Sequence, residues 1–302
     1  MASKSTSANT ARAVSQDSAA IPENLFHPCT RTWFAEAFAN PTRVQLESWP
    51  ALFQQQSALL LAPTGSGKTL AAFLAAIDRL VFASTGKAQR SQSLSSKPTR
   101  TSAAGRARTE AKDGVKIIYI SPLKALGVDV DRNLRAPLAG ISAVAAREGV
   151  EHNAVSVAIR SGDTETRERA RMLRHPPDVL ITTPESLYLM LTSKAREILA
   201  GVETVIIDEI HTMVSSKRGV HLFLSLERLE ALRTNHAADV TSLQRIGLSA
   251  TQRPLDEVAR LLGGYQQVGD EGVSSERTVN IVDASEKRPF ELTICMPLGD
   301  QV

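Results

Sequence analysis

The residues Ala62-Pro63-Thr64-Gly65-Ser66-Gly67-Lys68-Thr69 put two glycines, a lysine and a hydroxyl into one short stretch, a combination suited to phosphate. An apolar run, Ser57-Ala58-Leu59-Leu60-Leu61, leads into it, and residues 70–77 read as a helix. A strand, a glycine turn and a helix form the context that a phosphate loop requires. Gly65 and Gly67 let the backbone wrap closely enough for its N–H groups to point at phosphate oxygens, with Thr64 and Ser66 completing the cradle. The helix N-terminus adds partial positive charge at the same place. Lys68 then reaches the β- and γ-phosphates, and the Thr69 hydroxyl suits Mg²⁺. The strict pattern GxxxxGK[ST] opens with glycine where this chain has Ala62, but the two glycines nearest Lys68 are kept.

Asp208-Glu209-Ile210-His211 ends a second apolar run, residues 202–207, whose β-branched character predicts a fully buried strand. Asp208 then stands at a strand's carboxyl end, where open α/β sheets bind ligands. An aspartate there holds Mg²⁺ through hard oxygen contacts, with waters completing the shell. Its neighbour Glu209 is placed to orient and deprotonate an attacking water. The two stretches read as halves of one ATP site.

The elements that must position these residues occupy only part of the 302-residue chain. Residues 1–20 are rich in Ser, Ala and Thr without apolar periodicity and read as a disordered tail. They lack the apolar core of a secretory signal. No stretch approaches the roughly 20 apolar residues of a membrane span, so a cytoplasmic protein is expected. Residues 83–114 carry seven basic side chains against Glu110 and Asp113, a surplus of five, while the whole chain is at +3. Everything else therefore sums to −2, and the basic pI belongs to this one stretch. It reads as a solvated insertion between a helix and a strand, or as a loop that touches nucleic acid phosphates. Cys29 and Cys295 lack metal-ligand spacing, and His27 beside Cys29 has no second pair to complete a zinc site. Both cysteines read as structural.

Short β-branched runs at 115–120, 155–159, 178–182, 202–208 and 245–249 alternate with helical patterns at 123–138, 165–173, 184–191 and 220–232. That alternation predicts an α/β fold: a mostly parallel sheet with helices on both faces. The domain is expected to span 21–264 and to close near Gly263-Gly264. Residues 265–302, with strand-like runs at 278–282 and 290–296, are expected to be a linker and the start of another domain.

Further clusters fall at predicted strand ends: Pro41-Thr42-Arg43-Val44-Gln45, Ser121-Pro122-Leu123-Lys124, Thr183-Pro184-Glu185-Ser186 and Ser249-Ala250-Thr251. In this order, with the phosphate loop and Asp-Glu-Ile-His, they resemble the first motor domain of superfamily 2 helicases of DEAD/DEAH type, over residues 26–264. The segments Ile181-Thr182-Thr183-Pro184-Glu185-Ser186-Leu187 and Lys217-Arg218-Gly219-Val220-His221-Leu222 are similar to the large helicase-related proteins of bacteria and archaea, which translocate on single-stranded DNA and are linked to repair.

The resemblance implies a RecA-like P-loop NTPase domain that binds Mg·ATP and single-stranded DNA, or RNA. Lys68, Asp208 and Glu209 carry the chemistry, and the Gln45 amide faces the adenine edge. Lys124, Thr183 with Pro184, and Gly162 in the loop Ser161-Gly162-Asp163-Thr164 hold the phosphodiester backbone. His211, Ser249 and Thr251 couple nucleotide state to that groove. The upstream aromatics Phe26, Trp33 and Phe34 are candidates to stack on the base, but most of them read as packing residues and are left out of the site. In this superfamily the arginine that neutralises the γ-phosphate comes from a second motor domain, so this chain alone is expected to bind nucleotide and hydrolyse it slowly. Two readings stay open: a piece of a longer helicase, or a freestanding ATP- and nucleic-acid-binding module completed by a separately encoded motor domain. An unrelated P-loop ATPase would not carry the Pro-Glu-Ser and Ser-Ala-Thr segments in this order.

Overall fold

The computed structural model describes residues 21–83, 114–122, 124–236, 241–250, 254–268 and 273–285. The expected tail at 1–20, nearly all of the basic insertion, Thr251, Cys295 and the run at 290–296 lie outside the described residues.

Seven strands make one parallel sheet: β1 (Ser57–Leu61), β2 (Ile117–Ile120), β3 (Val157–Arg160), β4 (Val179–Thr182), β5 (Thr204–Ile207), β6 (Gln244–Ser249) and β9 (Val279–Asp283). Their order is β3-β4-β2-β5-β6-β1-β9. An antiparallel hairpin, β7 (Tyr265–Val268) with β8 (Val273–Glu276), stands apart.

Alternate side chains along each central strand enter opposite cores, which is why these strands read as continuous apolar runs. Ala58, Leu60, Ile117, Tyr119, Ile181, Ile206 and Leu248 pack under α1 (Pro28–Ala37), α2 (Arg43–Phe53), α3 (Lys68–Phe82) and α4 (Lys124–Arg147). Leu59, Leu61, Ile118, Ile120, Val205 and Ile207 face the other layer. That layer holds α6 (Pro184–Leu191), the 3₁₀ turn Lys194–Leu199, α8 (Lys217–His236) and α9 (Leu255–Gly263). Two short helices, α5 (Thr166–Arg174) and α7 (His211–Val214), are the others among the described residues.

Phe26, Trp33 and Phe34 are buried, as expected of packing residues; Trp33 packs edge-on against Phe34, and the two phenylalanines crowd the fully buried Trp49. Phe26 and Phe34 meet its ring edge-on at 4.9 and 5.7 Å. Cys29 is buried as well and donates to Glu148 Oε2 at 3.3 Å. Burial and that hydrogen bond push its thiol up to about 11, so it stays protonated and inert at neutral pH.

Two boundaries differ from expectation. α4 runs through Pro137 to Arg147 instead of stopping at 138. Proline removes one helical N–H, but Leu138, Ile141, Val144 and Ala145 beyond it are buried and hold the next turns in place. The second difference is at Gly264. The sheet does not end there, because β9 pairs with β1 from Ser57 opposite Val279 to Leu61 opposite Asp283. Gly264 takes a left-handed backbone, φ +63°, and turns the chain into the β7–β8 hairpin that brings it back to the sheet edge. In sequence, a glycine pair followed by a polar hairpin has the look of a domain end.

A buried arginine locks this region. Arg245, on β6 and almost fully buried, bonds Glu227 at 2.7 Å, Glu230 at 3.2 Å and the Gly263 carbonyl at 3.0 Å. Arg277, at the entry to β9, shares Glu227 and the same carbonyl at 2.8 and 3.0 Å. Burial alone would raise the Glu227 carboxyl, but hydrogen bonds from Arg277 and Arg245 outweigh it and hold it below the ordinary range. Replacing Arg245 by methionine leaves Glu230, whose side chain is 11% exposed, with Arg233 at 3.3 Å and the Leu243 N–H at 3.1 Å, and leaves Glu227 with Arg277. Because those partners remain, urea unfolding of Arg245→Met is expected to show a loss of about 3 kcal/mol, the lower end for breaking a buried pair and still beyond that of an exposed Arg→Met change.

Candidate nucleotide site and strand-end face

Parallel pairing brings the carboxyl ends of β1, β5 and β6 to one edge, and backbone bonds stitch them together. The Ala62 N–H bonds the Ser249 carbonyl at 3.2 Å, the Asp208 N–H bonds Ile120 at 2.9 Å, and the Ile210 N–H bonds Leu248 at 2.9 Å. Thr64, Gly65, Gly67, Lys68, Thr69 and Asp208-Glu209 consequently line one cleft of about 840 Å³, together with Gln45 and Thr42, while Ser66 lines a neighbouring cavity with Ala62 and Pro63.

Gly65 and Gly67 both adopt left-handed backbone, at φ +80° and +84°, where a side chain is strained. Gly67 carries a second constraint: a Cβ there would stand 2.7 Å from Gln45 Nε2. Gln45 is buried, unlike the surface glutamine that a helix start suggests. Its Oε1 accepts from the Thr42 N–H at 2.9 Å, and its Nε2 donates to the Gly67 carbonyl at 3.4 Å. One N–H and one lone pair of the amide remain for another partner.

Lys68 is the first residue of α3, and its ammonium donates to the carbonyls of Ala62 and, at 3.0 Å, Pro63. Burial lowers its proton affinity, while the Glu209 and Asp208 charges oppose that shift. A buried cation facing two carboxylates across a cleft is an environment prepared for a polyanion.

Tyr119 has no signal in the sequence that distinguishes it from any other strand aromatic, yet its hydroxyl donates to Asp208 Oδ2 across the β2–β5 pair. Burial first, then the Asp208 charge, holds the phenol well above its ordinary value, so it remains a donor. The other carboxylate oxygen accepts the Glu209 N–H at 3.0 Å. Glu209 takes a left-handed backbone, φ +45°, which is uncommon for a side-chain-bearing residue and characteristic of functional turns. Its Oε2 lies 3.3 Å from His211 Nδ1, and the same ring nitrogen lies 3.2 Å from Ser249 Oγ. Ser249 thus touches the phosphate loop through its carbonyl and the acidic stretch through its hydroxyl. Trp33, one of the aromatics weighed for stacking on the base, also lines the cleft, as do Phe38, Asn40, Asp129, Asn133 and Pro137, none of which was expected there. They sit on α1, its following turn and α4, and tertiary packing brings them in.

The remaining sequence candidates sit along the same edge, at the ends of β2, β3 and β4. Thr183 is buried as the N-cap of α6, accepting the Ser186 N–H at 3.4 Å, with Pro184 as the first helical residue. Lys124 opens α4. The Ser161–Thr164 turn is tied internally, Ser161 N–H to Thr164 Oγ1 at 2.9 Å, and Arg169 grips the Gly162 carbonyl at 2.7 Å.

The two loop glycines differ in a way that can be measured. Both substitutions to alanine are strained by φ, but only the one at 67 meets another atom, since nothing lies within 4 Å of a Cβ at 65. Gly65→Ala is expected to cost about 1 kcal/mol and Gly67→Ala about 2–3 kcal/mol in urea unfolding. Equal losses would remove the Gln45 contact from the account of the loop.

Known proteins are similar to this chain. The family model described as DEAD/DEAH box helicase matches residues 42–258. The Lhr helicase/probable uracil glycosylase of Mycolicibacterium smegmatis is 47% identical over 281 residues, covering 93% of this chain and 16% of that protein. The ATP-dependent helicase Lhr-Core of Methanothermobacter thermautotrophicus is 42% identical, covering 92% of this chain and 28% of that one. Among solved structures, the Mycobacterium smegmatis helicase Lhr bound to ssDNA and AMP-PNP superposes with a TM-score of 0.68 at 46% identity, covering 87% of this chain and 28% of that one. The chain thus spans under a third of the length of these relatives. Its sheet is of the RecA-like kind, and the chain belongs to the DEAD/DEAH box helicase family.

Proposed function

We propose that this chain is the nucleotide-binding half of an ATP-driven motor acting on single-stranded nucleic acid, DNA in particular, with a role in DNA repair. The observation that carries the reading is the meeting of the glycine loop, Lys68 and the Asp208–Glu209 turn in one cleft. The residues fit a magnesium nucleotide. Gly65, Gly67 and the start of α3 present backbone donors to phosphate, and Thr69 and Asp208 supply the hard oxygens that Mg²⁺ takes. When bound, that ion neutralises charge on the β- and γ-phosphates. Lys68 would exchange its two loop carbonyls for phosphate oxygens, a stronger partner for an ammonium. Glu209 would orient the attacking water, with its own carboxylate held by the His211 ring. The spare donor and acceptor of Gln45 suit an adenine edge, and Trp33, Phe38 and Pro137 offer apolar surface for its faces. Across the strand ends, Lys124, Thr183, Pro184 and Gly162 would track a phosphodiester backbone without reading bases. His211, Ser249 and Thr251 would link the two ligands. The likeness to Lhr, whose structure holds ssDNA and AMP-PNP, supports DNA over RNA.

No arginine lines the cleft among the described residues. The purified chain is therefore expected to release phosphate at about 10⁻³ s⁻¹, in the range of sites without an arginine finger. A rate above about 1 s⁻¹ on adding ssDNA, in a phosphate-release assay, would show that this half needs no complement.

Photocrosslinking to labelled single strands tests the reading directly. Single-stranded DNA is expected to crosslink, more strongly with Mg·AMP-PNP, and the nucleotide effect is expected to vanish in Lys68→Ala. Equal labelling of duplex and single strand, or none of either, would sink the proposal. Tyr119→Phe removes the donor that orients Asp208, and equilibrium titration is expected to show about ten-fold weaker Mg²⁺-dependent nucleotide binding with Mg²⁺-free binding unchanged.

A further inference from the structure

The Lys217-Arg218-Gly219 segment lies outside the phosphate loop and the acidic stretch, yet it touches the surroundings of both faces of the site. Gly219 allows a close approach: a Cβ there would stand 1.8 Å from the Met213 carbonyl oxygen, so α8 can start against α7 only with glycine at this position. Ser216 fastens the joint, its hydroxyl donating to that carbonyl at 2.8 Å and accepting the Gly219 N–H at 3.0 Å. The start of α8 is therefore fixed relative to α7, which begins at His211, the partner of Glu209.

From that fixed start Arg218 spans two strand ends. Its Nε and Nη2 grip both carboxylate oxygens of Glu185, the latter at 3.0 Å, and its Nη1 donates to the Pro122 carbonyl at 2.7 Å. Glu185 follows the Thr183 cap, and Pro122 stands two residues before Lys124. One guanidinium thereby sets the spacing of two of the turns read above as backbone-binding, and it neutralises the carboxylate that would otherwise face phosphate. The bidentate geometry is specific to arginine.

We infer that Arg218, held by the Met213–Gly219 contact, is a positioning residue through which the Glu209–His211 side of the nucleotide cleft sets the grip of the Pro122 and Thr183 turns on single-stranded nucleic acid. This rests on the function proposed above. A shift of His211 carries α7, α7 carries Gly219, and Arg218 moves with it against Glu185 and the Pro122 carbonyl. The path is continuous in space and runs beside the Ser249 contact instead of through it. Both partners of the ion pair are partly solvated, 36% and 55% exposed, so the pair adds little to global stability and its removal leaves the fold intact.

Fluorescence anisotropy of a labelled oligothymidylate, with and without Mg·AMP-PNP, tests the link on the 302-residue chain. Arg218→Ala is expected to weaken oligothymidylate binding about ten-fold and to bring the ratio of affinities with and without nucleotide close to one. AMP-PNP affinity and the urea midpoint are expected to stay at wild-type values. Arg218→Lys keeps the charge but loses the fork, and is expected to recover part of the affinity without the ratio. The double variant Glu185→Gln with Arg218→Gln removes both charges and is expected to bind better than Arg218→Ala while remaining uncoupled. Wild-type affinity and ratio in Arg218→Ala would overturn the inference alone, as would a loss of AMP-PNP affinity that tracks a lowered urea midpoint. Absence of oligothymidylate binding by the wild-type chain in both states would overturn the proposed function and this inference with it.

Discussion

A parallel strand cannot return through a tight turn, so each parallel step in this sheet needs a crossover, and the carboxyl ends gather along one edge. The rest of the molecule depends on that constraint. The glycine loop, the acidic turn, the serine at the end of β6 and the strand-end turns of β2, β3 and β4 come from points spread over nearly two hundred residues, and none of them is near the others in sequence. Strand order then decides which of them meet. β6 lies between β1 and β5, so Ser249 stands between the loop and the acidic turn, bonded to one by its carbonyl and to the other by its hydroxyl. β2 lies beside β5, which lets Tyr119 reach Asp208.

Charge at this edge is arranged ahead of any ligand. Lys68 loses hydration on entering the cleft and compensates with loop carbonyls, while Asp208 is held at both oxygens, by a phenol and by a backbone N–H. Glu209 carries the backbone strain of a left-handed turn, and its carboxylate is held by an imidazole. Groups fixed in this way need little reorganisation when charge arrives, which is the main means by which a protein stabilises a phosphoryl-transfer site.

The same economy appears in the connections away from the cleft. Arg245 and Arg277 converge on Glu227 and the Gly263 carbonyl, so the end of α9, the middle of α8 and the entry to β9 are tied at one point. Arg218 makes a comparable but more solvated tie among the strand-end turns. The contrast in burial separates their consequences: loss of the first threatens the fold, and loss of the second changes geometry at a surface.

Much of this was legible in the chain itself. The phosphate loop, the buried strand ending at Asp208, the alternation of strand and helix and the burial of Phe26, Trp33 and Phe34 follow from local composition and spacing. Residues close in sequence must be close in space, and a run of β-branched side chains has few other uses. Gln45, Thr183 and His211 were identifiable as residue types at the right places, but their actual partners were not. The end of the domain was misjudged at Gly264, because a glycine pair looks the same whether it closes a sheet or turns back into it. Tyr119, Phe38 and Asn133 had no local mark at all, and Arg218 and Glu185 stood out as parts of two segments with nothing to say that they pair. Their roles depend on strand order and on how closely two helices approach, and those are set by packing among residues far apart in the chain. The sequence by itself determined which chemistry was present, since that is a property of residue types at short spacing. Only the tertiary structure decided which groups hold that chemistry in place, because orientation and burial are properties of neighbours that the linear order does not contain.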